Sequence, residues 1–179
     1  MKRSIFYWQV AGIFFTIALG VLFHFLFDMT KQNVIVALFS AVNESIWEHM
    51  KLLFYPAFLF AIMESKFWNQ EYKQFWCVKL KGVLLGLLLI PVFYYTYAGA
   101  LGVSADWVNI ANYVVTTIIV FLFETRLFQK GRQCILRSEI ALIGLCVVAL
   151  AFTVFTFATP KIPIFKDPLA GTYGFYELK

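Results

Sequence analysis

The stretch NVIVALFSAVNESIWEHMKLLFYPAFLFAIM, residues 33–63, decides the fold of this chain. As one continuous helix it would be about 46 Å long at about 1.5 Å per residue. The hydrocarbon core of a bilayer is only about 30 Å thick. The helix therefore either projects well beyond a membrane or breaks, and the polar residues in the middle of the stretch favour a break.

The break is predicted close to Ser45. Ser45-Ile-Trp-Glu48 has the S-x-x-E form of a capping box, and Asn43 is a second residue type that caps helices well. We therefore predict a short segment over 33–42, followed by a spanning helix over about 44–63. The short segment cannot cross a bilayer, so we expect it to be re-entrant or to lie at the interface.

The composition of the whole chain agrees with a membrane location. Of its 179 residues, 61% are hydrophobic, 20% are aromatic and 14% are charged. Soluble domains have about 45–50% apolar and about 25% charged residues. The chain has more apolar surface than a soluble fold of this size can bury, so we predict an all-α polytopic membrane bundle with the lipid bilayer as its main partner. The net charge of +5 does not indicate nucleic acid, because the basic residues are spread over several loops.

We predict about five transmembrane helices in addition to the short segment. The bundle occupies residues 1–158, and the four spans besides 44–63 are expected at about 5–27, 82–101, 107–128 and 140–158. The charged amino terminus and the long apolar run after it favour a retained first span over a cleaved signal peptide. Residues 159–179 form a tail rich in proline and glycine, which cannot be one helix.

Loop charge predicts the orientation of the bundle. Ten of the fifteen basic residues fall on the side of the predicted bundle that carries the amino terminus. The positive-inside rule then puts the amino terminus in the cytoplasm and the carboxyl terminus outside an inner, or cell, membrane. Cys77 and Cys134 also fall on the cytoplasmic side and form no C-x-x-C pair, which argues against a disulfide framework.

Four ionisable residues interrupt the apolar stretch near its middle. On a helix that begins at Glu44, the side chains of Glu44, Glu48, Lys51 and Tyr55 fall within about 60° of one another, and His49 points about a right angle away. Charges inside an apolar helix are costly unless they pair and face protein or water. Glu48 and Lys51 are a ready i, i+3 pair, which leaves Glu44 without a local partner.

Two interpretations of this stripe are open. In the first it is an ordinary helix start, with acids stabilised by the helix dipole and Lys51 extending towards the interface. In the second it is a polar, acid-rich site in the outer half of the bundle that binds or passes a cation, a proton or a small solute, as at the broken helices of transporters. The predicted binding residues of this second interpretation are Asn43, Glu44, Glu48, His49, Lys51 and Tyr55.

The sequence contains a possible set of metal ligands, but a metal site is not favoured. His24, His49, Glu44 and Glu48 are a His/carboxylate ligand set. Their order is not that of an H-E-x-x-H motif, and the adjacent Glu48 and His49 diverge on a helix. His24 pairs as simply with Asp28 at i+4. No cofactor is expected.

Two further functions stay open beside the binding site. One is a membrane-embedded enzyme that acts on a lipid-linked substrate, with Glu44 or Glu48 as general base. The other is a scaffold or sensor subunit without chemistry of its own. A transporter of this size would need a second membrane subunit or a homo-oligomer. The tail either folds over the polar site as a cap or is a solvated terminus, and the solvated terminus is slightly preferred.

Two stretches resemble the hallmarks of a known family. NESIWEHMKL (residues 43–52) and IFKDPLAGTYG (residues 164–174) are similar to those of small bacterial multi-pass membrane proteins of unknown function that share an N-E-S-x-W-E-H motif. The resemblance covers the whole chain in length and number of spans. It implies an inner-membrane location, supplies no activity, and leaves open whether the protein is an enzyme.

Overall fold

Five α-helices make up most of the computed structural model, which describes residues 2–102, 106–131 and 134–176. They are α1 (Lys2–Met29), α2 (Ile46–Trp68), α3 (Phe75–Leu101), α4 (Asp106–Lys130) and α5 (Ser138–Phe157). Two short 3-10 helices, Val36–Leu38 and Pro163–Phe165, lie before α2 and after α5. The described residues contain no β-strand, only an isolated bridge between Lys166 and Tyr173. The predicted all-α class is confirmed.

Each of the five helices is long and apolar enough to cross a membrane, so the chain is a multi-pass membrane protein. Two spans differ most from their predicted bounds. The helix α2 continues to Trp68 instead of ending near 63, and α3 begins at Phe75 instead of near 82. The charged residues Glu64 and Lys79, which lie just outside the predicted spans, are buried and paired with each other inside the bundle.

Helix α2 lies at the centre of the bundle. Of its most apolar window, 61% is buried, against 22–50% in the other four helices. The remaining helices surround it in the order α1, α4, α3 and α5. Gly86 of α3 permits close packing, because a Cβ atom there would overlap the Leu53 side chain of α2.

The predicted break before α2 is confirmed. Ser45 is the N-cap of α2, and its hydroxyl accepts a hydrogen bond from the Glu48 amide at 3.4 Å. The preceding segment contains the 3-10 helix Val36–Leu38. This segment is joined to the end of α1 through Ser40, whose hydroxyl donates to the Phe23 carbonyl and accepts from the Phe27 amide at 3.2 Å.

The tail after α5 folds back onto the bundle as far as it is described. Phe165 packs on Trp47 with ring centroids 4.7 Å apart, and Phe175 lies against Phe27. The preferred expectation of a solvated terminus is therefore wrong. The aromatic side chains of Phe165 and Phe175 pack the tail against the bundle, which its proline and glycine content did not indicate.

Cys77 and Cys134 form a disulfide, with Cα atoms 6.3 Å apart. It joins the first turn of α3 to the segment that precedes α5. The expectation of no disulfide is therefore wrong. The sequence did not indicate the pair because the two cysteines are separated by 57 positions and meet only because α3 and α5 are neighbours. Cys146 is free.

Candidate functional site

His24, Glu44 and His49 meet at the end of the bundle that the tail covers, and we call them the Glu44 cluster. The Nε2 atom of His24 lies 3.8 Å from Oε1 of Glu44, and Nε2 of His49 lies 3.5 Å from Oε2. One ligand atom from each residue lies within 4.8 Å of the others. These three residues come from α1, the turn before α2, and the first turn of α2.

Glu44 takes this position because it lies outside the helix. Since α2 begins only at Ile46, the predicted stripe that starts at Glu44 is wrong at its first member. The Glu44 backbone amide donates to Oδ2 of Asp167 in the tail at 3.1 Å. Asn43 shapes the same turn by accepting a hydrogen bond from the Ser45 amide at 3.0 Å. The carboxylate is then free to reach His49, which the helical wheel had placed on another face.

The His49 ring is oriented by its own helix. Its Nδ1 atom lies 2.9 Å from the Ser45 carbonyl oxygen. A carbonyl only accepts hydrogen bonds, so Nδ1 donates to it, and Nε2 is the ring nitrogen that faces Glu44. A backbone carbonyl on one ring nitrogen is the usual way in which proteins orient a histidine whose other nitrogen binds a metal.

Glu48 and Lys51 form a separate buried pair instead of joining the Glu44 cluster. Their side chains are 2.7 Å apart and essentially fully buried. The Lys51 ammonium also donates to the Ala37 carbonyl at 2.8 Å and to the Thr156 hydroxyl at 3.0 Å. The i, i+3 pairing is confirmed, and the alternative of Lys51 extending to the interface is wrong. The pair joins α2 to the 3-10 segment before it and to α5.

Tyr55 lies on the face of α2 that carries the Glu48–Lys51 pair and is not part of the Glu44 cluster. Its hydroxyl donates to the Ala149 carbonyl of α5 at 3.2 Å. Of the predicted binding residues, the structure brings Glu44 and His49 together, next to His24 of the possible metal-ligand set. Glu48, Lys51 and Tyr55 face α5.

Two cavities adjoin the Glu44 cluster. The larger, about 350 Å³, extends from it between α1, α2 and α4. The smaller holds about 20 Å³ on the side of α3, where Ile90, Asn109 and Asn112 are among its lining residues. The larger cavity is lined by Gly20, Val21, His24, Phe25, Glu44, His49, Leu52, Asn109, Ile110, Tyr113 and Leu169.

A second group of polar and charged side chains lies at the opposite end of the bundle. We call it the Lys79 cluster, and it consists of Gln9, Glu64, Lys79 and Glu124. The Lys79 ammonium lies 2.5 Å from Glu64 and 2.7 Å from Glu124. The Gln9 amide donates to Glu64 at 2.6 Å. All four side chains are buried, and they come from four different helices.

Sequence reasoning missed the Lys79 cluster because it assigned Lys79 to a cytoplasmic loop. The sequence nevertheless contained a signal for this cluster. Glu64, Lys79 and Glu124 each lie within a few residues of a predicted span end, and all three ends are on the same side of the bundle. Opposite charges at one depth of neighbouring apolar helices indicate pairing, because an unpaired charge there is costly.

A model of a protein family described as "Family of unknown function (DUF6512)" matches residues 2–175. The chain belongs to this family. A comparison with curated proteins found no match, and neither did one with solved structures. Membership in a family of unknown function is thereby confirmed, whereas the N-E-S-x-W-E-H motif and the bacterial origin stay predictions.

Proposed function

We propose that this protein binds a divalent transition-metal cation, such as Zn²⁺, through His24, Glu44 and His49. The observation that supports this most directly is the convergence of two histidine Nε2 atoms on one carboxylate. Two histidines and one carboxylate are a ligand set of zinc sites that keep a fourth position open. This reverses the preference of the sequence analysis against a metal site. It takes His24, Glu44 and His49 from the possible metal-ligand set and leaves out Glu48.

The two histidine–carboxylate distances are close to those of a metal site, and all three ligand atoms lie within 4.8 Å of one another. Zinc–nitrogen bonds of about 2.0–2.1 Å in a tetrahedral arrangement place two ligand atoms about 3.3 Å apart. The observed His24–Glu44 and His49–Glu44 distances are 3.8 and 3.5 Å. Rotation of the partly exposed side chains would supply the difference. The hydrogen bond between His49 and the Ser45 carbonyl would remain in place.

The fourth position of such an ion would adjoin the larger cavity, since all three ligands line it. An ion with an open position can bind a ligand or activate a water molecule. A membrane enzyme that hydrolyses a lipid-linked substrate is therefore the second candidate function. Turnover in detergent without any gradient would support the enzyme, whereas transport would require sealed vesicles.

Metal binding is tested on the purified protein in detergent after treatment with a chelator. Titration with Zn²⁺, followed by calorimetry and by metal analysis, should give one ion per chain. His49→Ala and Glu44→Gln should each weaken binding at least about 100-fold, because each removes a ligand. Affinity should also fall as the pH is lowered, since the histidines must be neutral to bind the ion.

The matched control is Glu71→Gln, which removes an exposed carboxylate that lies in the connection between α2 and α3. It should bind Zn²⁺ as the wild type does. Less than one ion per chain, or unchanged affinity in both ligand variants, would overturn the proposal.

For the orientation, we propose a cell membrane with the amino terminus in the cytoplasm, so that the Glu44 cluster lies on the outer side. The excess of basic residues on the amino-terminal face supports this. The Cys77–Cys134 disulfide lies on the same face and favours the opposite orientation, because disulfides are rare in the cytosol. A carboxyl-terminal fusion to an enzyme that is active only outside the cytoplasm decides between the two.

A further inference from the structure

Exposed apolar residues of α1 and α4 form one wall of the larger cavity. Val21 and Phe25 of α1 and Ile110 of α4 line it, and these side chains are 48%, 55% and 62% exposed. Both helices are apolar enough to span a membrane. Exposed apolar side chains on helices of this kind are expected to face lipid, so this wall of the cavity is expected to adjoin the bilayer.

The deep part of the cavity is apolar. Leu52 and Tyr113 line it beside Gly20. The Tyr113 hydroxyl is engaged by the Thr16 carbonyl at 2.7 Å and the Leu52 carbonyl at 3.3 Å. Gly20 is required for this close approach, because a Cβ atom there would overlap the Tyr113 hydroxyl. A chain of methylene groups fits such surroundings.

The other end of the cavity is polar and lies under the tail. Asp167 fixes the tail there, since one carboxylate oxygen accepts from the Leu169 amide at 2.7 Å and the other from the Glu44 amide at 3.1 Å. Leu169 lines the cavity and is 77% exposed. The cavity therefore runs from a carboxylate and two histidines to a wall that is expected to adjoin the bilayer.

We propose that this cavity binds a single-chain amphiphile with an anionic oxygen head group, a carboxylate or a phosphate ester, that enters from the bilayer between α1 and α4. This rests on the proposed metal site, because the anionic oxygen would occupy the open position of the ion. A divalent ion with one carboxylate and two neutral histidines keeps one positive charge, and an anionic ligand neutralises it away from water. The volume of about 350 Å³ is within the roughly 300–1,000 Å³ of ligand sites.

The experiment uses Co²⁺ as a visible substitute for Zn²⁺ on the full chain in a nonionic maltoside detergent. Laurate and dodecyl phosphate are titrated separately, and the visible absorption of the bound Co²⁺ reports a change of its ligands. At least one of them should shift the spectrum, and the one that does so at lower concentration identifies the head group. Dodecanol, which has the chain but no anionic oxygen, should leave the spectrum unchanged.

The variant Ile110→Trp fills the cavity from its wall of exposed apolar residues. It should weaken binding of the amphiphile at least about tenfold, because the larger ring occupies volume that the alkyl chain needs. Ile143→Trp of α5 is the matched control. Ile143 is 61% exposed and lies outside the cavity, so this variant should behave as the wild type. Acetate, which has the anionic oxygen without the chain, should bind equally to both variants.

The outcomes separate the two proposals. If Co²⁺ and Zn²⁺ do not bind, the metal site is refuted. If Co²⁺ binds but neither amphiphile shifts its spectrum, only the amphiphile site is refuted. Equal binding of the amphiphile to the wild type and to Ile110→Trp would refute entry between α1 and α4.

Discussion

The Glu44 cluster and the Lys79 cluster lie at opposite ends of the same bundle and differ in how closely their charges are paired and how far they are exposed. In the Lys79 cluster the ammonium lies between the carboxylates of Glu64 and Glu124, and none of the three side chains is more than 3% exposed. In the Glu44 cluster the side chains of His24, His49 and Glu44 are 29%, 20% and 41% exposed. Two histidine Nε2 atoms there face a carboxylate beside an open cavity.

This difference indicates two roles. The charges of the Lys79 cluster hold helices together, and those of the Glu44 cluster are available to a ligand. The partners in the Lys79 cluster come from four helices and pair with one another, so the cluster stabilises the packing of those helices. The Glu44 cluster brings ligand atoms together with contacts of 3.5 and 3.8 Å, which are too long to be strong hydrogen bonds. Substitutions should therefore cost mainly stability at the Lys79 cluster and mainly binding at the Glu44 cluster.

The largest effect is expected from Lys79→Met. This change leaves Glu64 and Glu124 buried beside each other without a cation. Removing one partner of a buried ion pair costs about 3–5 kcal/mol. Thermal unfolding in detergent should show the loss, while the variant that remains folded should still bind Zn²⁺ with one ion per chain.

Lys81→Met is the control, because Lys81 is exposed on the same turn of α3. Its stability should change by less than about 0.5 kcal/mol. Equal stability of the two variants would mean that the Lys79 cluster does not hold the bundle together.

Next in size is the loss of the Cys77–Cys134 disulfide. Disulfides stabilise by about 2–4 kcal/mol, mainly by restricting the unfolded chain. Cys77→Ser, or reduction of the wild type, should lower the unfolding temperature without changing Zn²⁺ affinity, because the disulfide lies at the end of the bundle that holds the Lys79 cluster. Cys146→Ser removes the free, exposed cysteine and should change neither quantity. A loss of Zn²⁺ affinity on reduction would show that the two ends of the bundle are coupled.

The sequence predicted the features that each segment specifies on its own. Five apolar runs of sufficient length gave the five helices, because a span needs only its own residues to be recognised. The start of α2 at Ser45 followed from a local capping rule, and the Glu48–Lys51 pair followed from i, i+3 spacing.

Contacts between distant segments could not be predicted in the same way. Glu64 and Glu124 meet Lys79 only because α2, α3 and α4 are neighbours, and no single sequence records which helices pack together. Prediction of the Glu44 cluster depended on the exact start of α2. The predicted helix began at Glu44, whereas the observed one begins at Ile46, and this short difference moved the carboxylate from the stripe to His49.

A smaller loss of stability is expected from Glu48→Gln. The substitution keeps the shape of the side chain but removes the charge that faces Lys51 at 2.7 Å. Removing one partner of a buried ion pair costs about 3–5 kcal/mol. Lys51 retains its hydrogen bonds to Ala37 and Thr156, so the cost should lie at the lower end of this range, about 3 kcal/mol. Chemical or thermal unfolding measures it. A variant as unstable as Lys79→Met would mean that Lys51 cannot remain in place without this carboxylate.

The smallest effect on stability is expected from Glu44→Gln, the same chemical change four positions earlier. Its side chain is 41% exposed, and the hydrogen bond to Asp167 is made by the Glu44 backbone amide, so the substitution leaves it intact. The free energy of unfolding without metal should stay within about 0.5 kcal/mol of the wild type. Zn²⁺ should raise the unfolding temperature of the wild type and of Glu48→Gln but not of Glu44→Gln, because only a ligand that binds the folded state stabilises it. If Glu44→Gln instead loses as much stability as Glu48→Gln and still responds to Zn²⁺, then Glu44 is part of the structural framework and the distinction between the two clusters fails.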